Sequence, residues 1–361
     1  MRCKPHRHSL ALLALLGAVV LTSCSPAEYG SGVTGSLTAI GSGSQLGPIS
    51  AWQEGWSKEY PQTSLRFSPD GDASGRDALF RGMAHVASLD SQLTASDWEL
   101  SKATCGPEGA FAVPTSVTAV GVAYNVAGLR NVRLDQAALA AIFQGKITQW
   151  NDRQIAELNP DTVLPDKKIV PIWVKAESGL TQAVGEYFNS DPQTAANPPV
   201  QRQWPDNTAG QSVDRYSDVA TKVDDTDGAI AFMDRASIGT RFSTATLKFG
   251  EEFAKVTEDA LAVAVDHGNI SEAPGGGVQL ALQTGRGPGY SLGFVGYQAF
   301  CHSYKNPALA RLVKSWAEYV TGEGGQANST YFAQVSSPSI VALERSQEAV
   351  GTIKAEHDDN R

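Results

Sequence analysis

A surplus of positive charge is what this chain most clearly lacks. Its 361 residues carry 29 Lys and Arg against 38 Asp and Glu, a formal net charge of −9. Removing Arg2, Lys4 and Arg7 with the N-terminal leader described below leaves 26 basic side chains against 38 acidic ones, a net charge of −12. That balance argues against nucleic acid as a partner and against capture of anions by the overall field, so any anion site must be built locally. Histidine is also scarce. His6 and His8 belong to the leader, and His85, His267, His302 and His357 show no metal-type spacing with one another or with the four cysteines. No metal and no cofactor are expected. Gly275-Gly276-Gly277 lacks the Gly-Lys-Ser/Thr of a phosphate loop. Gly289-Tyr290-Ser291-Leu292-Gly293 spells a nucleophile elbow, but a Gly/Pro loop precedes it and the strand-like Phe294-Val295-Gly296-Tyr297 follows. An elbow needs a strand before it and a helix after it, so catalysis is not expected. No internal repeat is present.

The chain also lacks a spanning hydrophobic segment. Its one long apolar run, Leu10 to Leu21, follows Arg2, Lys4 and Arg7 and is too short for a stable transmembrane helix. Residues 1–23 therefore read as a signal peptide. It ends in Leu21-Thr22-Ser23-Cys24, which resembles a bacterial lipobox, so Cys24 is expected to be acylated and to begin the mature protein. Residues 24–36, rich in Gly and Ser, read as a flexible tether. The mature chain is then extracytoplasmic and held to the cell membrane by lipid. Cys105 and Cys301 remain for the folded part. In an exported protein an even pair points to one disulfide, with two buried free thiols as the alternative.

The mature length exceeds what one core usually supports, which predicts two domains. Short apolar or β-branched runs (65–68, 86–89, 117–124, 169–174 and 229–233) alternate with helical stripes such as Ile49, Trp52 and Trp56, or Leu309, Leu312, Val313, Trp316 and Val320. Further helical stretches are expected at 134–143, 155–158, 183–188 and 340–353. The class is α/β with largely parallel sheets. Pro114-Thr115-Ser116 and Gly285-Arg286-Gly287-Pro288-Gly289 look like joints. Crossing at both makes residues 37–113 and 288–361 one discontinuous domain and 114–287 the other, with a ligand cleft between them.

Three turns rich in small and hydroxyl residues run into helical stretches: Gly41-Ser42-Gly43-Ser44, Asp72-Ala73-Ser74-Gly75, and Ser178-Gly179 before Leu180-Thr181. The first turn of a helix leaves N–H groups unpaired at the positive end of the dipole, where an anion can approach. Ser, Asp and Gly are equally favoured there as ordinary caps. The turns alone do not decide between these readings.

A longer pattern does. Ile142-Phe143-Gln144-Gly145-Lys146-Ile147-Thr148-Gln149-Trp150-Asn151-Asp152, continuing through Ile155-Ala156-Glu157-Leu158-Asn159-Pro160, resembles the PstS family of phosphate-binding proteins, the capture subunits of phosphate ABC importers. Ala87-Ser88-Leu89-Asp90, Asp227-Gly228-Ala229-Ile230, the stretch 122–129 and the Trp316 helix extend the resemblance over nearly the whole mature chain. It implies a periplasmic-binding-protein fold, two α/β domains joined by a hinge around a ligand cleft. It also implies inorganic phosphate or a related small anion as ligand, ABC permease subunits as partners, and a monomer.

The resemblance assigns phosphate contacts residue by residue. Ser44, with the backbone N–H of Gln45, matches the opening hydroxyl turn. Asp72 falls where the family has a Ser, an anionic acceptor in place of a neutral donor, with Ser74 as a substitute two residues on. Asp90 matches the Asp that accepts the proton of HPO4 and so rejects sulfate. The family segment Arg-x-Asp-Gly-Ser-Gly-Thr falls on Val174, Lys175, Ala176, Glu177, Ser178, Gly179 and Leu180. Ser178 and Gly179 survive, while the Arg, the Asp that orients it and the Thr hydroxyl do not. Lys175 should point to the face opposite Val174, and Arg76 is a second outside cation. One lost hydrogen bond to a charged group, about 1.5 to 3 kcal/mol, corresponds to about ten- to a hundredfold weaker binding. Asp72 and Glu177 should weaken it further. The expectation is a phosphate-binding protein of an importer, or else a diverged relative that binds phosphate weakly and carries or senses another ligand or serves as a surface interaction protein.

Overall fold

The structure is a computed structural model that describes residues 32–195 and 199–356. The signal peptide, Cys24, most of the expected tether and His357 lie outside the described residues. A mixed sheet contains β1 (Gly35–Gly41), β2 (Thr63–Ser68), β3 (Val86–Leu89), β4 (Ala110–Asn125), β5 (Val170–Val174), β6 (Gln211–Val213), β7 (Ala229–Asp234), β8 (Ser243–Thr244) and β9 (Gly293–Cys301). Their order is β2-β1-β3-β9-β4-β7-β5-β6, with β8 beside β4. β1 begins at Gly35, inside the segment read as tether.

Both flanks of the sheet are parallel, β1 with β2 and β3, and β5 with β6 and β7. The centre corrects the expectation of largely parallel sheets. There β9 runs antiparallel to β3 and β4, and β4 antiparallel to β7. β4 is 16 residues long, pairing with β9 through its first part and with β7 through Val120–Asn125. A strand that serves both halves of the molecule is not set beside its neighbours by a crossover helix, so the βα alternation of the flanks does not fix its direction.

Two large cores part along these central strands. Ala119 packs in the first and Val120 in the second, and Phe294 packs in the second and Val295 in the first. The first core holds Trp52 and Trp56 from α1 (Leu46–Glu59), with Trp56 edge-on to Trp316 at 5.3 Å. The second holds Phe143, Trp150, Tyr187, Trp204 and Phe232. Leu261, Val265, Val278 and Leu280 pack into the first core, although the expected division counts 114–287 with the second domain. Pro114-Thr115-Ser116, expected as a joint, is part of β4, and the register against β9 shifts between Gly296 and Tyr297, opposite Ser116 and Pro114. Proline has no N–H for the ladder, and an irregular pairing is where a strand interior tolerates it.

α2 (Asp72–Phe80) follows β2, and α3 (Ala95–Cys105) follows β3 behind a capping box of Thr94 and Asp97. A disulfide joins Cys105, the last residue of α3, to Cys301, the last of β9. In the second lobe α4 (Gln136–Phe143) and α5 (Arg153–Leu158) carry the family-like segment, and α6 (Gly179–Asn189) follows β5. The expected helices near the C-terminus are present as Pro307–Thr321 and Ile340–Gly351. The helix Glu323–Ala333 between them was not anticipated, because Gly324, Gly325 and its polar residues give it no apolar stripe. Among the described residues no helix is long and apolar enough to cross a membrane.

Candidate ligand site

The site is assembled around Asp90, the residue that follows β3. Ser42 and Ser44 lie in the turn between β1 and α1, and each hydroxyl donates to the Asp90 carboxylate at 2.6 Å, Ser42 to Oδ2 and Ser44 to Oδ1. The turn is held close to β3 by Ser42 N–H donating to the Ser88 carbonyl at 2.8 Å. Gly41 must be glycine, since a Cβ there would stand 1.8 Å from that carbonyl oxygen. From the other lobe the N–H of Gly179, the first residue of α6, donates to Asp90 Oδ2 at 3.2 Å. Three donors from both lobes thus converge on one carboxylate. Gly179 is again required, because its added Cβ would lie 2.3 Å from the Asp90 Cβ.

Asp90 is almost wholly buried, with 5% of its surface exposed. Burial raises its pKa above the ordinary aspartate value and the negative charge of Asp72 raises it further, while the bonds from Ser42, Ser44 and Gly179 act in the opposite direction. Asp72, the first residue of α2, accepts the Asp90 N–H at 2.7 Å and the Ser91 hydroxyl at 3.0 Å. Its Oδ2 also pairs with Arg76 Nη1 at 3.1 Å and Arg202 Nη2 at 3.0 Å. Asp72, expected to weaken the anion site by its charge, thus has that charge paired. Two guanidinium groups balance it, one from its own helix and one from the opposite lobe.

The other expected residues divide. Ser178 caps α6, its hydroxyl accepting from Thr181 N–H at 3.0 Å. Gln45 is a strut between strands: its side-chain amide donates to the Leu89 carbonyl at 2.5 Å and to the Tyr297 carbonyl at 3.2 Å, and its backbone N–H donates to Ser42 O at 3.2 Å. Ser74, expected as a substitute hydroxyl, is exposed on α2 and makes none of the hydrogen bonds to Asp72 or Asp90. Leu180 points into the second core at 4% exposure. Lys175 pairs at the surface with Asp214 at 2.9 Å, while Val174 is buried, the alternation expected of a strand. Glu177 is exposed and lies 3.9 Å from Arg202 Nε. Arg76 is engaged within the first lobe, on Asp72 and, through Nη2, on the Ser91 hydroxyl at 2.6 Å and the carbonyls of Ser91 and Gln92 at 3.3 Å, while its buried Nε has no hydrogen-bond partner and lies 3.7 Å from Asp97 Oδ2.

Ser42 and Arg202 were missed. Ser42 stood in the turn already singled out, two residues before the matched Ser44. Arg202 has no sequence signal, because it lies 24 residues beyond Ser178 in an irregular segment and meets the site only through the fold. A cavity of about 120 Å³ adjoins the cluster, lined by Asp90, Gln92, Gly179, Gln182, Glu186 and Tyr297 among others.

The remaining sequence features have structural roles. Ser291 of the elbow-like motif is buried in the loop before β9, its hydroxyl accepting from Gly285 N–H at 3.1 Å. His85 accepts from Thr38 N–H, and His302 bridges Thr352 and the Gly275 carbonyl. Among the described residues no three His, Cys, Asp or Glu side chains form a metal-type group.

Residues 26–323 match the PBP superfamily domain. The phosphate-binding protein PstS 3 of Mycobacterium leprae is 24% identical over 315 residues, 84% of each chain. PstS2 of Mycobacterium bovis is 24% identical over 347 residues, 90% of this chain and 92% of its own. Among solved structures, a phosphate-binding protein from Stenotrophomonas maltophilia superposes with a TM-score of 0.63 at 18% identity, over 87% of this chain and 94% of its own. At that identity the superposition speaks for the fold. The resemblance to phosphate-binding proteins thus has its counterpart in these two curated relatives, both of which are named as such. The two lobes, the shared central strands and the match over residues 26–323 lead to one conclusion: the chain belongs to the PBP superfamily.

Proposed function

We propose that this protein is the extracytoplasmic substrate-binding protein of an ABC importer and that it holds inorganic phosphate between its two lobes. The observation that carries the reading is the set of donors on Asp90. Ser42 Oγ, Ser44 Oγ and Gly179 N–H, which hold the two carboxylate oxygens at 2.6 to 3.2 Å, are donors of the kind a phosphate oxygen needs, and they come from both lobes. In a phosphate complex these donors turn to the anion, and Asp90 accepts the proton that HPO4 keeps. Fully deprotonated sulfate has no proton to offer and meets a carboxylate instead. The names of the mycobacterial relatives support the same ligand.

In this reading Cys24 carries the lipid that holds the mature chain to the cell membrane, residues 1–23 being removed, and permease subunits receive the ligand from the closed protein. The lobes divide within β4 and β9, with residues 261–280 counted in the first. Acylation is checked by labelling cells with a fatty-acid analogue, and Cys24→Ser should abolish the label. Phosphate binding is checked by calorimetric titration of the wild type and Asp90→Asn. Loss of the acceptor should weaken phosphate about ten- to a hundredfold, and an amide that can donate should narrow the preference over sulfate. Equal phosphate affinity in the two proteins would remove Asp90 from the site.

A further inference from the structure

The anion-pairing arginine expected on β5 is replaced by Val174, which is buried in the interior. Three cations lie nearby, and the structure separates them. Lys175 is turned outward to Asp214. Arg76 is anchored to α2 and to the segment after β3, with Nη1 on Asp72 and Nη2 on Ser91 and Gln92. Arg202 differs from both. Its carbonyl accepts the N–H of Ser178 at 3.0 Å, which fixes its backbone beside the cap of α6. Its guanidinium donates from Nη1 to Gln182 Oε1 at 2.9 Å and from Nη2 to Asp72 Oδ2 at 3.0 Å. Its side chain keeps 24% of its surface exposed. Its Nε lies 3.9 Å from Glu177 Oε2, and of the five N–H donors on a guanidinium the two hydrogen bonds use two.

These contacts close a ring. Arg202 binds Asp72, Asp72 binds the Asp90 N–H, the Asp90 carboxylate binds Gly179 N–H, and the neighbouring Ser178 N–H returns to the Arg202 carbonyl. The Arg202 guanidinium is thereby held at the edge of the cluster whose donors surround Asp90, next to a carboxylate that fixes its plane. An arginine with an aspartate partner is what the strand motif no longer supplies. Resting on the proposed phosphate site, we propose that Arg202 is the cation that pairs with the bound anion, delivered from the segment after α6, with Asp72 as the residue that positions it.

The test is calorimetric titration of inorganic phosphate into the mature wild type, Arg202→Gln, Arg202→Lys and Asp72→Asn, with melting of each ligand-free protein to establish folding. Arg202→Gln should weaken phosphate about ten- to a hundredfold, the consequence of losing a hydrogen bond to a charged group. Arg202→Lys should recover part of that loss, since it keeps the charge but not the planar fork. Asp72→Asn should lose less than Arg202→Gln, because the cation stays and a like charge near the anion goes. Equal losses for Asp72→Asn and Arg202→Gln would mean that Arg202 serves only to hold Asp72, and would overturn the inference. So would an affinity of Arg202→Gln within twofold of wild type. If Arg202→Gln does not fold, full wild-type affinity in Arg202→Lys overturns the inference and an intermediate affinity supports it. A wild type that does not bind phosphate overturns the reading of the site itself, and the inference with it.

Discussion

Asp90 occupies an uncommon position for a carboxylate. It is almost wholly buried, Asp72 lies one hydrogen bond away through the Asp90 N–H, and the hydroxyls of Ser42 and Ser44 and the Gly179 N–H compensate. Burial and the Asp72 charge hold its pKa above the unfolded value. A raised carboxylate pKa contributes stability that is complete below the unfolded pKa and is lost as pH rises through the folded one. In the absence of phosphate, Asp90→Asn should therefore melt higher than wild type at neutral pH, and the gap should close as the pH falls into the acidic range where Asp90 takes up its proton. Thermal melts of both proteins across that range measure the difference, and a gap that widens on acidification would contradict the assignment. Asp90 was legible in the sequence because it stands at the end of a short apolar run within a family-like segment. The neutralisation of Asp72 was not, because Arg202 comes from the other lobe and charge balance across a cleft leaves no local pattern.

At the scale of elements, the first turn of α6 brings the second lobe directly against Asp90. Gly179 has no room for a side chain against Asp90, so Gly179→Ala must push either the helix or the aspartate aside. Overpacking of this kind costs about 1 to 3 kcal/mol, and phosphate affinity should fall about tenfold or more, with folding preserved by circular dichroism. Unchanged affinity would show that α6 does not approach the ligand so closely. The disulfide between α3 and β9 joins residues 196 apart in sequence. Loss of such a link typically costs about 2 to 5 kcal/mol, so the double variant Cys105→Ser/Cys301→Ser should melt clearly below the oxidised wild type, and coincident melting curves would contradict this. Helices with strong stripes, such as the one bearing Trp52 and Trp56, were readable from spacing alone. The helix Glu323–Ala333 was hidden by Gly324, Gly325 and its polar composition. Its formation depends on tertiary contact, including the bond from Trp52 Nε1 to the Gly325 carbonyl at 2.9 Å.

The whole molecule is organised by two strands, β4 and β9, that run from one core into the other. The α/β class and the fold family were legible because βα alternation and the 142–160 segment are local features of the chain. The direction of the central strands, the bulge at Pro114-Ser116 and the packing of Leu261–Leu280 with the first core were not, since each is decided by partners distant in sequence. With its net negative charge, the protein has no overall field to draw anions in. On the proposed function, selectivity comes from the cluster around Asp90, where the proton on the ligand separates phosphate from sulfate. The most direct measurement is a calorimetric titration of the mature protein at neutral pH with phosphate, and in parallel with sulfate. Saturable phosphate binding at one site per chain, unaffected by excess sulfate, is the predicted result. Sulfate binding as strong as phosphate, or no phosphate binding at all, would contradict it.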